Sequence, residues 1–214
     1  MTDRPVFLKN PVQHYAWGST TEIQDLLGIQ PEPGIPWAEL WMGAHPKSPS
    51  KVRVNDTWVN LNEWIRAHPE AVLGGKTARA YEHTLPYLFK VLAAEQPLSI
   101  QAHPDRNQAR QGFARENTAG IPIDAPNRNY RDPWPKPELI CALKPFGALV
   151  GFRDPEAIRR EIKSFCPHTL DREIEILAGQ PGPAGIKPFF HAVMTMNPDR
   201  RKQAIKEALD KAGI

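Results

Sequence analysis

Cysteine is nearly missing from this 214-residue chain, which has only Cys141 and Cys166. They form no Cys-x-x-Cys pair and are too few for a disulfide framework, so both read as reduced packing thiols. Long hydrophobic runs are absent as well: the stretch from Tyr87 to Ala94 is already interrupted by Lys90, and no membrane-spanning helix is expected. Met1 to Pro5 begins no apolar run of signal-peptide length, which points to a cytoplasmic chain without a membrane partner. A strong charge of either sign is missing too. Net charge is +3 with basic and acidic residues interspersed, so nucleic acid is not an expected partner. What remains, 41% hydrophobic and 24% charged, is the composition of a globular chain with one sizeable core, or one domain and part of another.

Proline is abundant. The 23 prolines concentrate in residues 29–49 and 121–137, and because proline donates no ladder hydrogen bond these stretches read as ordered loops. Between them, residues 51–55, 86–92 and 98–103 read as strands, with two more in 137–152 joined near Gly147. Helices are expected at 21–27 and at 61–67, where Leu61, Trp64 and Ile65 follow helical spacing, and Asp105 caps another running through Ala109 and Phe113. After Arg153 the pattern turns helical. Asp154-Pro155 and Asn197-Pro198 both have the form of an N-cap followed by proline at the first helical position. Helices at 170–177 and 188–196 lie between them, and Ala204, Ile205, Ala208, Leu209 and Ala212 would form one apolar stripe packed into a core. The division is therefore 1–153, strand-rich and bearing the chemistry, and 154–214, helical.

The chemistry centres on Ser99-Ile100-Gln101-Ala102-His103-Pro104-Asp105 and on Lys136-Pro137-Glu138. In an extended strand Ser99, Gln101 and His103 share a face, which sets an amide oxygen beside an imidazole. With the Glu138 carboxylate they make a mixed N/O donor set suited to zinc in a partly open site. Spacing alone leaves the plainer alternative open, a surface histidine engaged in ordinary hydrogen bonds.

The surrounding words carry more. Leu85 to Leu92 leading into Gln96 to Asp105 resembles the type I mannose-6-phosphate isomerases. So do Tyr15-Ala16-Trp17-Gly18, Ala38-Glu39-Leu40-Trp41-Met42-Gly43 with His45-Pro46, Asn129-Tyr130, Lys136 to Leu139, and Leu143 to Phe146, all in the same order. The resemblance implies a mainly β protein with added helices: a cupin-type jelly roll followed by a helical insertion that is incomplete here. It implies one zinc per chain on Gln101, His103 and Glu138, with the fourth ligand, a histidine, and a catalytic arginine lying beyond the insertion. His45 is the nearest stand-in for that ligand. The implied reaction interconverts mannose 6-phosphate and fructose 6-phosphate through an enediol, with Lys136 as the catalytic polar helper and Ser99, Lys90, Trp17 and Glu39 as substrate contacts. One departure stands out: many members carry histidine immediately before Lys-Pro-Glu, where this chain has Trp134-Pro135. A chain without the distal ligands has an alternative reading as a non-catalytic fragment, or as half of a split enzyme needing a separately encoded C-terminal half.

Overall fold

A computed structural model of the chain describes residues 5–166, 168–180 and 182–213. It divides into two units, Met1–Lys136 and Pro137–Ile214. The change to purely helical character comes later, where a helix begins at Pro155.

The first unit holds two three-stranded antiparallel sheets. Strands β1 (Leu8–Lys9), β4 (Lys51–Val54) and β5 (Thr57–Asn60) form one, in the order β1-β4-β5. β4 and β5 are joined through Asn55 and Asp56, both at positive φ, the backbone of a tight hairpin turn that these residue types tolerate. The other sheet is β2 (Val12–Gln13), β3 (Glu39–Gly43) and β6 (Leu88–Leu92), with β3 in the centre. Helix α1 (Glu22–Leu27) sends Ile23 onto Leu40 and Ala93 to make one core. Helix α2 (Leu61–Ala67) lays Leu61 and Ile65, one turn apart, on Val52 to make a second. Two short helices follow, α3 (Pro69–Leu73) and α4 (Gly75–Ala80). Gly18 is required by close approach, because a Cβ there would stand 2.6 Å from Ala38.

Helix α5 (Arg106–Thr118) starts as its sequence dictates: Asp105 accepts from the Gln108 amide at 2.8 Å, and the Gln108 side chain accepts from the Asp105 amide at 3.0 Å. Its inner face is Ala109, Gly112 and Glu116. Gly112 leaves room for the Tyr130 ring, which an added Cβ would strike at 2.5 Å. Glu116 is buried there because the loop after α5 satisfies it. It accepts from the backbone amides of Asn129 and Tyr130 and pairs with Arg128 Nε at 3.1 Å, the Arg128 side chain being fully buried. The Tyr130 amide, the closest of these donors, holds the Glu116 carboxyl below its usual range.

The second unit carries α6 (Pro155–Phe165), α7 (Asp171–Gly179), α8 (Ile186–Met194) and α9 (Pro198–Ala212). Asp154 and Asn197 cap α6 and α9 through their side chains as expected. Ile174, Leu177 and Phe189 are buried, and the buried Glu173 is gripped by both terminal nitrogens of Arg200 at 3.1 and 2.9 Å. The α9 stripe is only half a core: Ala204 is buried, whereas Ile205 and Leu209 face outward.

Two expectations are corrected. The described residues form a mixed α and β structure with nine α-helices and six short strands, not a mainly β one. The reason is local to two segments: residues 97–104 and 137–152 contain no strand. Both have strand-like sequences, but a strand forms only when a neighbour supplies its ladder, and neither segment is paired into either sheet. No helix among the described residues is long and apolar enough to cross a membrane.

Candidate functional site

Strand β3 organises the site. Glu39 and Trp41 point to one face by strand alternation, and Lys90 stands directly opposite Trp41 on β6, on that same face. Glu39 is 5% exposed and both carboxylate oxygens are engaged: Trp41 Nε1 donates to Oε2 at 2.6 Å and Lys90 Nζ to Oε1 at 2.9 Å. The Trp41 ring meets His45 edge-on, with centroids 4.8 Å apart. His45 Nδ1 accepts from the Lys47 amide at 3.2 Å. Burial, then the positive charges of Lys136 and Lys47, push the His45 pKa down, with Asp132 opposing them. Lys136 itself lies 3.5 Å from Asp132. A continuous run of contacts therefore joins Lys90, Glu39, Trp41 and His45, and His45 lies within electrostatic reach of Lys136.

The opposite face of β3 is different. An apolar groove of about 490 Å³, lined by Met42, Phe89, Leu61, Trp64 and Ile65 among others, contains none of the expected site residues.

The remaining candidates are placed as follows. Trp17 stacks on Tyr15, and its carbonyl accepts from the amides of Glu95 and Gln96 at 2.9 and 3.1 Å, tying down the start of the segment that carries Ser99, Gln101 and His103. Those three side chains are exposed. The same-face argument for them rests on an extended backbone, and the segment is not paired into either sheet. Glu138 is exposed and falls two residues past the unit boundary, in the second unit. No group of three or more His, Cys, Asp or Glu is arranged to hold a metal among the described residues. In donor type, the amide oxygen, imidazole and carboxylate of Gln101, His103 and Glu138 still fit zinc. Cys141 is exposed and Cys166 buried, both as free thiols.

Sequence reading missed the link between Glu39 and Lys90 and the Glu116–Arg128 support beneath the loop. A Glu-x-Trp on a strand flanked by apolar residues was the available signal for the first. Nothing in the spacing announces the second, which joins residues twelve apart across a proline-rich loop.

Comparison with known proteins decides the family. The description "Phosphomannose isomerase type I, catalytic domain" matches residues 6–155. The chain belongs to this family. It is 42% identical over 207 residues to the mannose-6-phosphate isomerase of Escherichia coli K12, covering 95% of this chain and 52% of that protein. With the human mannose-6-phosphate isomerase it shares 40% identity over 156 residues, covering 69% of this chain and 34% of that one. The crystal structure of the Salmonella typhimurium mannose 6-phosphate isomerase bound to its substrate f6p and zinc superposes with a TM-score of 0.82 at 41% identity. That match covers 94% of this chain and 51% of that one. The chain thus spans about half the length, or less, of these phosphomannose isomerases. The match to 6–155 takes in every candidate site residue named above.

Proposed function

We propose that this chain supplies the N-terminal part of a zinc-dependent aldose–ketose isomerase that interconverts mannose 6-phosphate and fructose 6-phosphate through an enediol. Family membership across residues 6–155 carries the reading. The zinc- and substrate-bound relative supports the metal and the class of substrate. Gln101, His103 and Glu138 would hold one zinc ion, which when bound supplies a Lewis acid that steadies negative charge on a sugar oxygen.

The chain's own residues do the rest. A proton passes between C1 and C2, so a polar group must stand beside the oxygen on which charge develops. Lys136 takes that part as the catalytic residue. Lys90 and Ser99 present an ammonium and a hydroxyl to the phosphate or the sugar hydroxyls, while Trp17 lines the cavity and the buried Glu39 stands behind Lys90. Because no residue corresponds to the histidine that many members place before Lys-Pro-Glu, Lys136 works here without that neighbour. The setting is cytoplasmic.

A second reading is favoured by the exposed apolar side chains of residues 139–152: Leu139 is 93% and Val150 88% exposed. On that reading the 214-residue chain is inactive alone and gains activity with a C-terminal half. A coupled isomerase assay with zinc, on the purified chain alone and mixed with a supplied C-terminal half, tests both. Turnover by the chain alone overturns the second reading, turnover only in the mixed arm supports it, and no turnover in either arm overturns both. Gln101→Ala and His103→Ala are expected to lower zinc content by elemental analysis; unchanged zinc would refute the ligand assignment.

A further inference from the structure

We infer that Glu39 is a positioning residue for Lys90 and not itself a contact for the sugar, an inference that rests on the proposed role of Lys90 at the phosphorylated substrate. At 5% exposure Glu39 offers a hexose almost no surface, and its two oxygens already accept from Lys90 Nζ and Trp41 Nε1. A buried carboxylate requires such partners, because unpaired it would carry an uncompensated charge out of water. Lysine gains equally: its four-carbon stem is flexible, and the carboxylate selects one placement of an ammonium that would otherwise sample many. The Lys90 side chain remains 36% exposed, so the amine is anchored and still reachable.

The register makes this a property of the sheet and not of chance rotamers. Glu39 faces Leu92, and Lys90 is its diagonal neighbour on β6, a separation that long side chains bridge. The same carboxylate holds the Trp41 indole, whose ring edge meets His45, the imidazole that feels the charges of Lys47 and Lys136. Glu39 thereby ties the cation on β6 to the tryptophan and histidine that lead toward the cation at the end of the unit. Glutamine in its place has the same shape but offers one acceptor and one donor group. Whichever way its amide turns, either Lys90 or Trp41 meets a donor.

The test is competitive amine acetylation of the intact chain, read residue by residue by mass spectrometry, with the exposed Lys9 and Lys51 as internal references. In Glu39→Gln, Lys90 is expected to react roughly threefold faster relative to the references, with Glu39→Asp in between, as the anchoring charge is lost or shortened. Added fructose 6-phosphate should protect Lys90 in the native chain and fail to do so in Glu39→Gln. A purely structural role would loosen the chain and raise all three lysines together, which overturns the inference. An unchanged Lys90 ratio in Glu39→Gln, with β3 and β6 amides still protected from hydrogen exchange, overturns it too. If Glu39→Gln does not fold, Glu39→Asp, which keeps the charge, decides by the same ratio. A Glu39-dependent ratio without protection by fructose 6-phosphate supports the positioning and overturns only the assignment of Lys90 to the sugar.

Discussion

Residues 88–92 and residues 139–152 read alike in sequence, and the molecule treats them in opposite ways. The first stretch is strand β6, with each residue from Leu88 to Leu92 paired to β3 and its lysine delivered to a buried carboxylate. The second has apolar residues of the same kind, yet Leu139 and Leu149 are 93% and 85% exposed and no strand forms. The difference is the neighbour. Strand propensity describes a side chain's fit to a pleated, half-buried surface, and where no second strand supplies the surface the propensity has nothing to act on. Polar residues obey the same rule. Glu39 and Glu116 are fixed because partners reach them from a different strand or loop.

If partners make the difference, removing one from the satisfied region should do the most damage. Arg128→Ala deletes a fully buried guanidinium and leaves Glu116 with an uncompensated charge on the inner face of α5. A fall in melting temperature of roughly 10 °C is expected by calorimetry, since breaking a buried pair from one side is far costlier than losing a surface contact. Acid probes the same network. The Glu116 carboxyl is held below its ordinary value of 4.5, so its contribution is complete above that pH and is lost as pH falls through the lowered value. Unfolding midpoints should therefore drop below pH 4.5 in the native chain, with part of that dependence missing in Glu116→Gln; equal slopes for the two proteins would refute it.

Next in size is the core under the first sheet. Ile65 is 2% exposed against Val52 and Leu61, and Ile65→Ala should cost about 2–5 kcal/mol in urea unfolding through lost burial and the cavity left behind. Asp105→Ala removes one half of the capping box on α5 and should cost about 1 kcal/mol. A cost near zero would mean that α5 is held by its Gly112–Tyr130 and Glu116–Arg128 contacts alone.

Legibility followed the range of the interactions. Helix starts at Asp105, Asp154 and Asn197 were readable because a cap and its helix are neighbours in sequence, and the Leu61–Ile65 face because helical spacing is local. The strands expected over 98–103 and within 137–152 are not formed, because pairing is a property of two segments and the sequence of one shows only half of it. At the site, the motif containing Glu39 and Trp41 was visible, but not that Glu39 spends both oxygens inside the protein. Alternation along an extended segment is what puts Ser99, Gln101 and His103 on one face, and the strand pairing expected to hold that segment is not formed.

The smallest expected effect tests the comparison most directly. Leu149→Ser and Val150→Ser replace apolar side chains that are 85% and 88% exposed, so each should change the stability of the chain by no more than about 0.5 kcal/mol in urea unfolding. In a paired strand such a change would be severe: Val52→Ser, at a residue of 0% exposure on β4, should cost several times as much as Leu149→Ser or Val150→Ser. Should Leu149→Ser prove as costly as Val52→Ser, residues 139–152 are packed in solution and the contrast fails. Should the two exposed changes be silent in the chain alone but costly once a C-terminal half is supplied, the difference between the two regions is one of partner and not of sequence, because the same leucine is worth nothing in water and a full burial against a strand.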